Sequence, residues 1–134
     1  MATTIDAFHR NVPAESAFGY AQAVRSGTLI HASGQFSYDD AGEFVHADDF
    51  GAQLGQTYVN MDAILDHYGA TRKQIVSQTV YVVGLRQNGA ALMAGNPAYY
   101  GDHRPANTVL GVTELAFPGQ FVEIAFVVDT TLPA

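Results

Sequence analysis

Residues 104–129 read RPANTVLGVTELAFPGQFVEIAFVVD, which predicts two β-strands joined by a turn at Pro118 and Gly119. In the second strand a single carboxylate, Glu123, interrupts a run of apolar residues. Strand side chains alternate between faces, and both faces here are apolar, so we expect the strand to be covered on both sides. A carboxylate in that position costs free energy unless a partner holds it. Glu123 is therefore either a structural carboxylate bound to backbone or a tyrosine, or a group that orients water or transfers a proton.

The length and composition of the chain predict one folded domain over residues 1–134. Hydrophobic residues make up 48% of the chain and charged residues only 14%, which excludes a disordered protein. So few charged residues leave part of the surface apolar. We therefore expect some of that surface to be buried against other copies of the chain.

The residue inventory excludes several classes of function. The net charge of −7 supplies no basic patch for a nucleic acid and repels anionic membranes. Without Cys there are no disulfides and no thiolate sites, and the five His show no metal-ligand spacing, so no metal is expected. The first residues lack the apolar core of a signal peptide and no run is long enough to span a membrane, so a cytoplasmic protein is expected.

The clearest helix begins at Phe50. Apolar residues recur there at three- and four-residue steps: Phe50, Leu54, Tyr58, Met61, Leu65 and Tyr68. Asp48 and Asp49 are suitable N-caps, and Gly69 suits the left-handed residue that ends a helix. A second helix is predicted over residues 89–100, interrupted by Gly95 and Pro97.

The remaining elements are predicted strands. Residues 18–24 and 28–33 flank a tight turn and predict a hairpin, residues 43–45 form a short run, and residues 75–83 are rich in β-branched side chains. Residues 1–16 read as polar and irregular. The order β-β-(β)-α-β-α-β-β predicts an α+β domain with two layers, a mixed sheet packed on two helices. The other sheet face then needs a cover, which three or more copies around an axis would supply.

Two hairpin residues are candidates for a ligand site. Tyr20 and Ser33 lie near the strand ends, where a turn presents side chains to a pocket. The alternatives are ordinary sheet packing for Tyr20 and a turn hydrogen bond for Ser33.

Taken together, residues 18–128 resemble the Rid family, also called the YjgF or reactive intermediate deaminase family. The resemblance rests on an ordered set of segments: GYAQAV at 19–24, SGQ at 33–35, the helix from Phe50 with Gly69-Ala70, the strand 75–83, RPANT at 104–108 and FVEI at 121–124. It implies a chorismate-mutase-like fold and a homotrimer with small-molecule clefts between subunits, and it implies no cofactor. It also implies hydrolysis of enamines and imines, such as 2-aminoacrylate tautomers, to 2-keto acids and ammonia.

The resemblance implies a role for each matching residue. Glu123 would position the attacking water, and Tyr20 and Ser33 would shape or hydrogen-bond the ligand. The family's Pro-Ala-Arg reads Pro105-Ala106-Asn107 here, so the Arg that grips a substrate carboxylate is missing. Losing such a charged pair costs about 1.5–3 kcal/mol, roughly tenfold to a hundredfold in binding. We therefore expect Asn107 and Thr108 to contact a substrate that is not a simple 2-imino acid.

Two classes of function remain open on the sequence. The first is an enamine or imine hydrolase of the RidA type. The second is a non-catalytic trimer that binds a small metabolite, as a sensor or a carrier. Retention of Glu123 favours the enzyme, whereas loss of the Arg argues against the best-known reaction. Ribonuclease activity, known for some relatives, fits poorly with the net charge.

Overall fold

A computed structural model describes residues 5–134 of the chain. The strands are β1 (Asp6–Phe8), β2 (Ala23–Ser26), β3 (Leu29–Gln35), β4 (Ile75–Val83), β5 (Ala106–Val112) and β6 (Val122–Asp129). The helices are α1 (Pro13–Phe18), α2 (Phe50–Tyr68) and α3 (Leu85–Tyr100), with a 3-10 turn at Arg72–Gln74. None of the helices within residues 5–134 is long and apolar enough to cross a membrane.

Helix α2 begins and ends where the sequence predicts. The Asp49 side chain accepts a hydrogen bond from the Ala52 backbone N–H at 3.1 Å, which caps the first turn. Gly69 ends the helix at φ 65°, a left-handed conformation that costs glycine little.

The six strands form one mixed sheet in the order β1-β2-β3-β6-β4-β5. Only β4 and β5 pair in parallel, because α3 carries the chain back over the sheet between them. The two strands of residues 104–129 are therefore not neighbours. β6 lies in the middle of the sheet between β3 and β4, whereas β5 lies at its edge.

Both long helices pack on the same face of the sheet, which confirms the two-layer α+β architecture. Along β6 the residues Val122, Ile124, Phe126 and Val128 are buried against these helices. The intervening residues, including Glu123, are only half-buried, so one chain covers β6 on one side and not on both. We call this second side the uncovered face; it carries Glu123, Ala125 and Val127 of β6 with their register partners on β3 and β4.

The N-terminal region differs from the sequence prediction. Residues 5–16 are not wholly irregular, since β1 forms there and Pro13 starts α1, where its missing N–H needs no partner. Phe18 is the last residue of α1, and the left-handed Gly19 ends that helix, so the first hairpin strand is only Ala23–Ser26. Residues 1–4 lie outside the described part of the chain. The predicted run at 43–45 contributes a single bridge, Tyr38 to Phe44.

Helix α3 starts four residues earlier than predicted and is not broken by its glycine. A Cβ on Gly95 would lie 2.5 Å from Leu54 Cδ2, so the glycine lets α3 approach α2 closely. Gly95 therefore does not break the helix but allows α2 and α3 to pack closely.

Candidate functional site

Glu123 lies on the uncovered face, directly across from Tyr81 of β4. Its carboxylate accepts one hydrogen bond of 3.3 Å from Gln120 Nε2, and no ion pair to it forms among residues 5–134. Burial raises the pKa of the Glu123 carboxyl above its usual range, and the bond from Gln120 offsets only part of that effect. A half-buried carboxylate without a cation is available for proton transfer.

The carboxylate of Glu123 sits against Gly34 of β3. A Cβ added to Gly34 would collide with the Glu123 side chain, its Oε2 being the nearest atom. The register between β3 and β6 shifts between Ala32 and Gln35, so Gly34 lies in an irregular part of the strand. The glycine of the Ser-Gly-Gln motif therefore makes the space that the carboxylate occupies.

Tyr20 and Ser33 approach the same end of the sheet. Tyr20 lies in the segment between α1 and β2 rather than in a strand, and it is half-buried. Burial raises the pKa of the Tyr20 hydroxyl, a hydrogen bond with Gln22 offsets part of that effect, and the nearby carboxylates Glu15 and Glu123 raise the pKa further, so the hydroxyl stays a neutral donor. The Ser33 hydroxyl donates to the Ala21 carbonyl at 2.7 Å, which ties β3 to the segment that carries Tyr20.

Asn107 and Thr108 point to opposite faces of the edge strand β5. Thr108 is in register with Thr79, which is in turn opposite Ala125 on the uncovered face. Asn107 is in register with the buried Gln78, on the face that the helices cover. Since register partners share a face, a single chain does not bring Asn107 to Glu123.

Asn107 belongs instead to a second polar cluster, the amide cluster, formed by Gln78, Asn96, Tyr100 and Asn107. Gln78 Nε2 donates to Asn107 Oδ1 at 3.0 Å and to Asn96 Oδ1 at 2.8 Å. The Tyr100 hydroxyl donates to Gln78 Oε1 at 2.6 Å. Neither Gln78 nor Asn96 was predicted from the sequence. One signal was available, because Gln78 has the same strand parity as the buried Val80 and Val82.

The chain contains another buried carboxylate that the sequence analysis missed. Glu15 is 6% exposed and accepts hydrogen bonds from the Arg10 and Asn11 backbone N–H groups at 2.9 and 3.1 Å. Gln22 donates to it at 2.9 Å, and His9 Nδ1 lies 3.2 Å away. Burial pushes the pKa of the Glu15 carboxyl upward, but these hydrogen bonds outweigh burial and leave it lowered. Its position two residues after Pro13 was the available signal, since acidic residues favour the first helical turn.

A buried glutamine of α2 fixes the segment that leads into β6. Gln53 Nε2 donates to the carbonyls of Gly119 at 2.7 Å and His46 at 2.9 Å, and its Oε1 accepts from the Phe121 backbone N–H at 2.8 Å. Two of these bonds hold the backbone four and two residues before Glu123, and the third ties it to the loop before α2. Gln53 thereby helps to set where that carboxylate lies.

A cavity of about 660 Å³ opens beside Tyr20. Its lining combines apolar side chains of Ile5, Ala7 and Val24 with the polar groups of His9 and Glu15. Within residues 5–134, no three His, Asp or Glu side chains are placed to share a metal ion.

Comparison with known proteins links this arrangement to one family. The family model described as Endoribonuclease L-PSP matches residues 10–130. A RutC family protein of Aquifex aeolicus is 32% identical over 111 residues, which cover 81% of this chain and 86% of that protein.

Solved structures share the fold over nearly the whole chain. A Yersinia pestis protein described as being of unknown function and of the conserved Rid family is 28% identical, with a TM-score of 0.82. The match covers 94% of this chain and 99% of that one. RidA from an Antarctic Psychrobacter is also 28% identical, with a TM-score of 0.79 over 96% of this chain and 99% of its own.

Proposed function

The chain belongs to the Rid (YjgF) family, and on that premise we propose that it hydrolyses a small imine, or the enamine that tautomerises to it. The observation that carries this proposal is the environment of Glu123. Its carboxylate is half-buried, has no cationic partner among residues 5–134, and lies in the space that Gly34 leaves open. Burial raises its pKa, which makes the ionised form a better base near neutral pH.

The reaction needs only water addition and proton transfer. Glu123 takes a proton from a water molecule as the water oxygen bonds to the imine carbon, and it passes that proton to the imine nitrogen. In the resulting carbinolamine, the ionised Glu123 takes the hydroxyl proton and transfers it to the amino nitrogen. The C–N bond then breaks, ammonia leaves and a carbonyl group forms. Tyr20, kept neutral by its raised pKa, donates a hydrogen bond to the ligand, and Ser33 shapes the cleft beside it.

We propose that the cleft forms between copies of the chain in a homotrimer. Asn107 and Glu123 lie on opposite faces of one sheet, so only a second copy can bring the two together. The uncovered face and the β5 edge also expose apolar side chains, with Leu110 44% and Val24 36% exposed. Burying such a surface is the expected driving force for association.

The substrate class follows from the residues around Glu123. No ion pair to Glu123 forms among residues 5–134 of one chain, and Asn107 stands where the family has Arg. Within the described part of one chain, a carboxylate ligand therefore meets no cation paired with Glu123 that could offset its desolvation. We propose that the substrate is not a simple 2-imino acid.

The proposed reaction is tested by trapping imines that the protein leaves behind. An amino-acid oxidase generates 2-imino acids in place, a flavin amine oxidase generates carboxylate-free imines from amines such as benzylamine, and semicarbazide traps the remainder. We expect the wild-type protein to lower the trapped product from carboxylate-free imines, and Glu123→Gln not to. Glu114→Gln, which changes an exposed carboxylate in the loop before β6, is the matched control. An unchanged yield with every imine would refute the hydrolase.

The alternative function is a trimer that binds a metabolite without turning it over. It is favoured by the hydrogen bonds that already engage Ser33 with Ala21 and Asn107 with Gln78. A binder retains ligand affinity in Glu123→Gln and shows no ammonia release with either protein, which separates it from the hydrolase.

RNA cleavage, named in the description of the matching family model, has little support in this chain. The net charge is −7, and Arg10 and Arg72 are already paired with Asp40 and Asp62. Too few cations remain to line a path for phosphates.

A further inference from the structure

The hydrogen bonds of the amide cluster have a defined direction. The two hydrogens of Gln78 Nε2 serve Asn96 Oδ1 at 2.8 Å and Asn107 Oδ1 at 3.0 Å. Gln78 Oε1 can only accept, and it accepts from the Tyr100 hydroxyl at 2.6 Å. Gln78 is 3% exposed, so each of its polar atoms is satisfied inside the protein.

This direction leaves two donors at the surface. Because both asparagine oxygens face Gln78, the NH₂ groups of Asn96 and Asn107 are turned away from it. Neither nitrogen has a hydrogen-bond partner elsewhere in residues 5–134. Asn96 is half-buried and Asn107 is exposed. Since both asparagine oxygens lie within 3.0 Å of one nitrogen atom, the two amide groups are neighbours on this part of the surface.

We propose that this donor pair recognises a neutral oxygen acceptor on the ligand, the carbonyl of an ester, an amide or a lactam. The inference rests on the proposed function, because it places the amide cluster of one copy opposite Glu123 of another. Two neutral donors satisfy the lone pairs of a carbonyl oxygen without burying a charge. A carboxylate at the same position loses its hydration and gains no cation. The substrate is therefore an imine that carries a neutral carbonyl group.

Gln78 acts in this scheme as a positioning residue. It touches no ligand itself but decides which atoms of the two asparagines face outward. If its amide were replaced by a carboxylate, that group would accept from both NH₂ groups and turn the oxygens outward. The ligand preference should then change from acceptors to donors, which a purely structural role would not produce.

Three probes that share the pyruvoyl group test the proposal: pyruvate, methyl pyruvate and pyruvamide. Pyruvate offers a carboxylate, methyl pyruvate offers acceptors only, and pyruvamide offers both acceptor and donor groups. Side-chain amide signals in ¹H–¹⁵N spectra of the 134-residue protein report binding. We expect methyl pyruvate and pyruvamide to bind about tenfold or more tightly than pyruvate and to shift the NH₂ signals of Asn96 and Asn107.

The sharpest variant is Asn107→Asp. One carboxylate oxygen still accepts from Gln78, whereas the other replaces the outward donor. Methyl pyruvate affinity should fall about tenfold, and thermal stability should hold. Gln78→Glu should weaken the binding of methyl pyruvate and leave the binding of pyruvamide unchanged. Gln87→Glu, an exposed glutamine of α3, is the control and should change neither affinity.

Each contrary outcome has a definite meaning. The proposal is overturned if pyruvate binds tightest, if no probe binds, or if methyl pyruvate fails while pyruvamide binds the wild-type protein. The last result would mean that the amide cluster has the reverse hydrogen-bond direction. Ester binding through these asparagines without hydrolysis of any trapped imine would leave this inference standing and refute the proposed reaction. If a trapped imine is hydrolysed but pyruvate is the probe that binds most tightly, the proposed reaction would stand and this inference would be refuted.

Discussion

The Glu123 carboxylate and the backbone of Gly34 are in direct contact across β3 and β6, and no Cβ fits between them. The contact joins two segments that are 89 residues apart in the sequence (123 − 34). The position of the carboxylate therefore depends on Gly34, and a substitution of that glycine can test the dependence.

Gly34→Ala should displace the Glu123 side chain. The new methyl group needs space that Oε2 occupies, so we expect a loss of about 1–3 kcal/mol of stability from overpacking. Imine hydrolysis should fall at least about tenfold, because a misplaced base loses its alignment with water. Thermal unfolding and the trapping assay measure the two effects. Gly55→Ala in α2, where a Cβ meets no atom within 4 Å, is the control and should stabilise the protein by up to about 1 kcal/mol. Full activity in Gly34→Ala would show that the contact is not needed.

Glu123→Gln should raise thermal stability at neutral pH while it removes activity. The pKa of the Glu123 carboxyl is raised in the folded state, so the folded protein binds this proton more tightly than the unfolded chain does. Stability therefore falls as the pH rises from the carboxyl pKa of the unfolded chain, about 4.3, through the raised pKa of the folded protein. The melting temperature of the variant should exceed that of the wild-type protein at pH 8, and the gap should close near pH 4. A melting temperature that drops at every pH would indicate a structural carboxylate.

Glu15→Gln should have the opposite effect on stability. Hydrogen bonds lower the pKa of the Glu15 carboxyl in the folded state, so the ionised group stabilises the fold above its unfolded pKa. That contribution is lost as pH falls through the lowered folded pKa. An amide nitrogen directed at the backbone N–H groups of Arg10 or Asn11 cannot accept their hydrogen bonds. We expect a loss of about 2 kcal/mol at pH 7, measured by chemical denaturation, and a smaller difference at pH 3. Equal stability at pH 7 would contradict this account.

Asn107→Arg should improve the hydrolysis of 2-imino acids. The guanidinium supplies the bidentate partner that a carboxylate lacks in this cleft, so kcat/KM should rise about tenfold or more. Asn107→Lys supplies a positive charge but not the planar guanidinium group, so it should raise kcat/KM by a smaller factor. Both variants deprive Gln78 of an acceptor, so their melting temperatures must be measured alongside. No gain in a folded, fully assembled variant would rule out the missing Arg as the main obstacle.

Leu110→Asp should dissociate the proposed homotrimer. Leu110 lies on the uncovered face in register with Tyr81 and is 44% exposed in one chain, so a charge there opposes burial against a second copy. Analytical ultracentrifugation should give three times 14.3 kDa for the wild-type protein and a single chain for the variant. Hydrolysis should be lost with assembly. Met93→Asp, on an exposed part of α3, should leave both unchanged. A monomeric wild-type protein would refute the inter-subunit cleft.

Much of the fold follows from local patterns. The apolar stripe of α2, its Asp49 cap and its final Gly69 are properties of neighbouring residues, and the structure confirms each of them. The alternation along β6 separates its two faces, but both are apolar, so the sequence did not show which of them the helices cover. The N-terminal elements could not be predicted because β1 has only three residues and α1 only six, too few to show a hydrophobic period.

Only part of the candidate site could be predicted from local sequence patterns. The sequence singles out Glu123 because a carboxylate among apolar residues is costly wherever the strand lies. It could not show that Gly34 makes room for that carboxylate or that Glu15 is buried, because both facts depend on contacts between separate segments.

Local sequence patterns predict the two long helices, most of the strands, the family resemblance and the unusual carboxylate Glu123, since propensity and alternation act over a few residues. Tertiary contacts alone place Asn107 and Glu123 on opposite faces of the sheet and join Gln78 to Asn96 and Asn107. Those partners are 18 and 29 residues from Gln78 in the chain. They meet because α3 crosses over β4 and places β5 parallel to it, a long-range arrangement that no local pattern encodes.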